Sequence, residues 1–293
     1  MIPAPFDYHA PQTLDEALAL LQSHGAESGE AKVLSGGQSL LPLLKLRLGA
    51  TGHLVDIGRI PGLEYLKEED GVLKIGGRTR ESALEHSELI RTKYPLLAET
   101  AAVIADPLVR NLATVGGNLA HGDPANDHPA TMLALRAEVV ATGPKGSRTI
   151  PIDEFFLGLF STALAPDEIL TEIRVPAPPA KSGGSYVKLE RKVGDFATAA
   201  SAVQVTLAAD GTIAKIGIAL TNAGPTPLRA ADAESFLTGQ QPTDERIAEA
   251  AQRAAAIASP NADRRGAIEY KRQMARVLTG RAIKRAIQWA QEH

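Results

Sequence analysis

Two pairs of adjacent glycines are the places where this chain can do chemistry. Ser35-Gly36-Gly37-Gln38-Ser39 and Thr114-Val115-Gly116-Gly117-Asn118 each follow an apolar approach, and they stand about 80 residues apart. Glycine leaves backbone N–H groups uncovered, and successive uncovered N–H groups bind an anion such as a diphosphate without an arginine cluster. The second pair runs on through Leu119-Ala120-His121-Gly122-Asp123-Pro124-Ala125-Asn126-Asp127-His128. His121, Asp123, Asp127 and His128 can be drawn as a metal site, but their spacing fits no zinc pattern and the interposed Gly122 and Pro124 resist one ligand geometry. No metal site is expected, and the seven histidines are mostly scattered.

Other chemistries are excluded by what is missing. The chain has no Gly-x-Gly-x-x-Gly fingerprint, no Walker loop and no Gly-x-Ser-x-Gly elbow. It has no cysteine, which removes disulfides, zinc–thiolate sites and cysteine-held iron–sulfur clusters from this chain. A net charge of −3 with interspersed signs gives no footprint for nucleic acid. Apolar runs fall short of the roughly 20 residues that span a bilayer, and Met1 to Leu20 lacks the basic and apolar regions of a signal peptide, so a cytoplasmic protein is expected.

The elements that must position the glycine pairs follow from pattern. Met1 to Pro11 reads as an extended lead-in. Thr13 with Glu16 is a capping box for a helix carrying Leu14, Leu18 and Leu21 to near Gly25. Ala31 to Leu34 is a strand delivering Ser35. Strands are expected at 53–57 and 72–75, helices at 82–88 and 96–104, with Pro107 as a stop. After Asp127 come a helix at 131–135 and strands at 138–142, 148–150 and 169–175. The Pro/Gly-rich segment 177–184 reads as a linker, followed by strands 185–190, 199–208 and 212–221 and helices 230–237, 243–258 and 267–290. Strands followed by helices describe an α+β chain. The expected division is 1–176, with subdomains of about 1–55 and 56–176, then the linker, then 185–293.

Four colinear motifs carry a resemblance. Lys32-Val33-Leu34-Ser35-Gly36-Gly37-Gln38-Ser39-Leu40, Thr114 to Ala120 with Pro124-x-x-Asp127, Leu164 to Leu170, and Lys188 to Ala197 together resemble the FAD-binding medium subunit of the molybdenum hydroxylases. That family includes the aerobic carbon monoxide dehydrogenase and xanthine dehydrogenase types. The resemblance implies a PCMH-type FAD-binding fold of two subdomains, followed by a smaller α+β domain of the carbon monoxide dehydrogenase flavoprotein C-terminal type.

Carried onto this sequence, the resemblance implies that Lys32 to Leu40 and Thr114 to Asn118 bind the diphosphate and its flanking sugars. Asp123 and Asp127 belong to the same loop, with Asp127 accepting from cofactor hydroxyls. Ile104 and Leu164 contact the ring systems, Lys188 lies near the flavin, and Phe196 covers the isoalloxazine or packs in the core. Gln38 and Phe196 depart from carbon monoxide-oxidising members, where histidine and tyrosine are implied. The implied role is an electron-transfer subunit with non-covalent FAD and no catalytic residue of its own. The resemblance implies a large molybdopterin subunit and a small [2Fe–2S] subunit that supply electrons, assembly as a dimer of heterotrimers, and NAD, a quinone or oxygen as external acceptor. A self-contained PCMH-type flavin oxidase and a non-redox scaffold are the alternatives.

Overall fold

The structure, a computed structural model, describes residues 2–25 and 30–292; Met1, at the head of the expected lead-in, and His293, at the tail of the expected last domain, lie outside the described residues. Thr13 caps α1 (Leu14–His24) by accepting from Glu16 N at 3.2 Å, while Glu16 Oε2 accepts from Gln12 N at 2.8 Å. Ala17, Leu18 and Leu21 bury this helix on a parallel sheet of order β1-β3-β2, formed by β1 (Asp7–His9), β2 (Ala31–Leu34) and β3 (His53–Asp56). Strand β1 lies inside the segment read as an extended lead-in, where three residues are too few to display the alternating pattern that singles out a strand. From β2 the chain passes through the first glycine pair into α2 (Leu40–Leu46).

A second sheet, antiparallel and ordered β4-β5-β10-β6-β7, uses β4 (Leu66–Glu69), β5 (Val72–Gly76), β6 (Glu138–Gly143), β7 (Gly146–Pro151) and β10 (Ile169–Pro176). Between β5 and β6 lie six helices, α3 (Glu81–His86), α4 (Glu88–Lys93), α5 (Pro95–Ala102), α6 (Pro107–Arg110), α7 (Val115–His121) and α8 (Asp127–Leu135). Pro107 opens α6 behind the capping Asp106 as well as ending the preceding segment, since proline has no N–H to lose at a first helical position. The small hairpin β8 (Phe156–Gly158) and β9 (Ser161–Thr162) precedes β10.

The third sheet, β11 (Ser182–Glu190), β12 (Ala197–Leu207), β13 (Ile213–Thr221) and β14 (Leu228–Arg229), is antiparallel and carries α9 (Ala231–Leu237), α10 (Asp244–Ala256) and α11 (Ile268–Glu292). Strand β11 already begins inside the segment read as linker. Its Gly183 and Gly184 face opposite ways: a side-chain carbon on Gly183 would collide with the Ala286 carbonyl of α11, and one on Gly184 would stand 2.6 Å from Leu96 Cβ of α5. These glycines admit a helix to each face of the sheet rather than loosening the chain.

All nine residues of α8 are buried, because α5 and α7 cover one side and β12 and β13 the other. One core therefore runs from Leu73 and Ile75 through Met132 and Leu133 to Tyr186, Ala200 and Ala219. Among the described residues no helix is long and apolar enough to cross a membrane.

Candidate functional site

The two glycine pairs meet. Ser35 Oγ lies 3.0 Å from Thr114 Oγ1, joining the segment just past β2 to the N-cap of α7. Gly36 lies so close to the Leu112 carbonyl and Ala113 that no side chain could stand there, so main chain meets main chain. Gly37 has φ 74°, the left-handed turn that sends the chain into α2. Thr114–Asn118 is the first turn of α7 rather than an open loop: Thr114 Oγ1 accepts from Gly117 N at 3.2 Å, and Asn118 N donates to Thr114 O at 2.9 Å. Two glycines in a seven-residue helix hide it from propensity. Their reason is tertiary, since Gly116 seats against the Gly77 backbone.

Gly117 is different from its neighbour. A Cβ there would come within 2.7 Å of the capping Thr114 Oγ1 and 3.9 Å of Ser35 Cβ, so the missing side chain belongs to the seam between the two segments. Beside it the Asn118 Oδ1 position is buried without a hydrogen-bond partner. A half-turn of the amide exchanges its oxygen for its nitrogen, so Asn118 can meet either a sugar hydroxyl or a phosphate oxygen. A seam closed by small hydroxyls, floored by glycine and bordered by an unsatisfied amide fits a sugar–diphosphate.

Behind the seam, Asn126 Nδ2 donates to Asn118 O at 3.0 Å and leads into Asp127, the first residue of α8. Asp127 Oδ1 accepts from Tyr186 OH at 2.7 Å and Oδ2 from Lys188 Nζ at 2.9 Å. Lys188 also donates to Val103 O at 3.0 Å and lies 3.4 Å from Glu190 Oε2, while only 4% of its side chain is exposed. Burial pushes the Asp127 carboxyl above its ordinary range, against the opposing pull of the Lys188 charge and the two hydrogen bonds. Burial, then the charge of Asp127, raises the Tyr186 hydroxyl well above its usual value. Lys188 is thus a three-way tie between α8, the end of α5 and β11.

The other expected residues fall into groups. Val33 and Leu34 lie on β2, Lys32 points outward beside them, and Gln38, Ser39 and Leu40 lead into α2. Ile104 is buried just past the end of α5, and its carbonyl accepts from Arg110 Nη1 at 2.9 Å. Leu164 is half-buried on the main core. Phe196 is 49% exposed at the mouth of β12. Asp123 closes its own turn by accepting from Ala125 N at 2.9 Å. His128 turns away to Glu81, Nε2 to Oε2 2.6 Å, so the four residues at 121–128 do not converge on a metal.

Sequence reasoning missed Tyr186, Glu190 and the Val103 carbonyl. Alternation on β11 carries the signal, because Tyr186, Lys188 and Glu190 lie two apart and share a face.

Residues 4–178 match the FAD binding domain in molybdopterin dehydrogenase, and residues 184–286 match the CO dehydrogenase flavoprotein C-terminal domain. The chain belongs to this family. It is similar to the carbon monoxide dehydrogenase medium chain of Hydrogenophaga pseudoflava, 48% identical with 99% of each chain covered. It is also similar to the 6-hydroxypseudooxynicotine dehydrogenase complex subunit alpha of Paenarthrobacter nicotinovorans, 36% identical over 98% of this chain and 96% of that one. A solved carbon monoxide dehydrogenase from Hydrogenophaga pseudoflava, lacking the Mo-pyranopterin moiety of its cofactor, superposes with a TM-score of 0.94 at 49% identity over 98% of each chain. The family flavoprotein described here is therefore a medium, FAD-binding subunit of the carbon monoxide dehydrogenase type of molybdenum hydroxylase, an oxidoreductase whose cofactor is FAD. The expected PCMH-type α+β fold with its flavoprotein C-terminal domain is the one observed.

Proposed function

We propose that this subunit is the electron outlet of a three-subunit hydroxylase, receiving electrons from [2Fe–2S] clusters on a small partner and releasing them to an external acceptor. The observation that carries the reading is the seam from Ser35 to Thr114, where the two glycine-bearing segments meet and a diphosphate carrier would be gripped from both sides. Bound FAD supplies the ability to take up and release electrons, and the organic redox chemistry is its own.

The chain's residues bind and orient. Lys32 to Leu40 and Thr114 to Asn118 would hold the diphosphate and sugars, Ile104 and Leu164 would bound the rings, and the exposed Phe196 would offer an aromatic face to the isoalloxazine. Asp123 and Asp127 shape the loop. Because its two carboxylate oxygens already accept from Tyr186 and Lys188, Asp127 serves first to fix Lys188 and the 103–105 turn. Without cysteine no cysteinyl–flavin bond can form, and the flavin is held non-covalently in this reading. Exposed Leu108 on α6 and Val193 and Phe196 on the β11–β12 connection lie on segments that meet where Gly194 approaches the Ala105 carbonyl, an apolar surface beside the site that suits a partner subunit. Relatives named for substrates as unlike as carbon monoxide and 6-hydroxypseudooxynicotine support substrate choice by another chain, the large molybdopterin subunit. The holoenzyme is a dimer of heterotrimers in the cytoplasm, with NAD, a quinone or oxygen as acceptor.

Two measurements test this. Gly117→Val places branched carbons against Thr114 and Ser35, and it should abolish flavin absorbance after reconstitution while leaving the far-UV circular dichroism unchanged. Retained flavin in that variant contradicts the assignment of the seam. Natively purified protein should carry molybdenum and iron at subunit stoichiometry, and the isolated chain should not turn over substrate. Turnover by the isolated chain would identify a self-contained oxidase instead.

A further inference from the structure

Three histidines distant in sequence converge at one edge of the first sheet. His9 ends β1, His24 ends α1 and His53 opens β3. His9 Nε2 lies 3.2 Å from His53 Nδ1, and the rings of His24 and His53 stack with centroids 3.9 Å apart. One nitrogen from each lies within 4.8 Å of the others. Parallel pairing makes the juxtaposition: Asp7 is opposite His53 in the register, and His9, two residues on, shares the face of Asp7. Helix α1 lies across the same face and brings His24 with its last turn.

We propose that His9, His24 and His53 form a binding site for a divalent transition metal of the zinc type, which ties α1 to β1 and β3. Two nitrogens on one tetrahedral zinc at Zn–N of about 2.0–2.1 Å lie about 3.3 Å apart, close to the His9–His53 separation. The widest pair must close by at most about 1.5 Å, a shift within reach of ring rotation that unstacks His24 from His53. Asp7 Oδ2, 3.8 Å from His53 Nδ1 and on a side chain 78% exposed, stands where a carboxylate or a water completes the tetrahedron. The carboxyl end of α1, the negative end of its dipole, also lies at this edge, which favours a cation there. The site is apart from the flavin seam, yet it braces the sheet whose β2 delivers Ser35. Three imidazoles and a hard oxygen suit zinc, nickel or copper rather than calcium or magnesium.

The test uses the full chain, stripped with chelator, reconstituted with FAD and titrated with zinc chloride in a calorimeter, with cobalt chloride as a spectroscopic probe. One saturable zinc per chain is expected, with the visible absorption of tetrahedral cobalt and a raised melting temperature. His9→Gln, His24→Gln and His53→Gln should each weaken zinc binding by more than the roughly 10- to 100-fold that changes behind a ligand cost. His86→Gln, at a histidine with a side chain 74% exposed and outside the cluster, should change nothing. If His53→Gln fails to fold by circular dichroism, His24→Gln at the helix end decides. Absence of saturable binding, or affinity unchanged in His9→Gln and His24→Gln, overturns the proposal. Flavin occupancy should be the same in every variant, which separates this site from the seam.

Discussion

Lys188 is held by three different elements, and its removal leaves a defined debt. Lys188→Met keeps the length of the stem but strands the Asp127 carboxylate among Tyr186, Val103 and apolar neighbours. Breaking a buried pair from one side costs about 3–5 kcal/mol, and urea denaturation of the FAD-loaded chain should register a loss of that order. Tyr186→Phe removes one charge-assisted hydrogen bond and leaves the pair, so its loss should be smaller, about 1.5–3 kcal/mol. His121 makes a second residue-scale prediction. Burial lowers its pKa below the ordinary 6.5, with Asp123 opposing. The unfolded chain therefore takes the proton first as pH falls, so this contribution to stability is complete above 6.5 and is lost as pH drops through the folded value. His121→Gln should flatten the decline in melting temperature between about pH 7 and about pH 5, and an unchanged slope would assign the decline to other groups.

Among the elements, β11 sits between two helices by virtue of two glycines. Gly183→Ala drives a methyl into the Ala286 carbonyl and the Ala290 amide of α11, so the helix must shift, and an overpacking loss of about 1–3 kcal/mol should appear in thermal melts. Gly49→Ala, with open space around it, should be close to neutral. How much of this could be read from the sequence depends on whether an element has a bare side. Helix α1 has one, so its capping box and leucine stripe are legible. Helix α8 has none, so no polar face gives it a period, and only its last half, 131–135, was visible as a helix. Helix α7 was hidden by its two glycines, of which Gly116 is placed for Gly77, a neighbour 39 positions away that no local pattern encodes. At the seam the residue types were legible, since glycine pairs advertise backbone chemistry. The Ser35–Thr114 hydrogen bond and the three-histidine cluster were not, because the first depends on how α7 docks beside the end of β2 and the second on β1 pairing with β3.

For the molecule as a whole, the apolar surface at Leu108, Val193 and Phe196 makes a prediction that folding experiments on the isolated chain would not reveal. Val193 is 93% exposed, so Val193→Asp should leave the melting temperature and flavin content of the isolated subunit unchanged while lowering the yield of assembled holoenzyme in a co-purification. Full assembly of that variant would move the partner surface elsewhere. The burial of α8 on all sides has a consequence in time. On a ribosome the helix emerges about 80 residues before β13, which covers its outer face. At 5–20 residues per second that interval lasts roughly 4–16 seconds, during which the face of α8 that β12 and β13 will cover lacks its partner in the nascent chain. The C-terminal sheet is thus an internal chaperone that arrives late, and slow codons or a stall near the linker would lengthen the interval in which the flavin domain can aggregate.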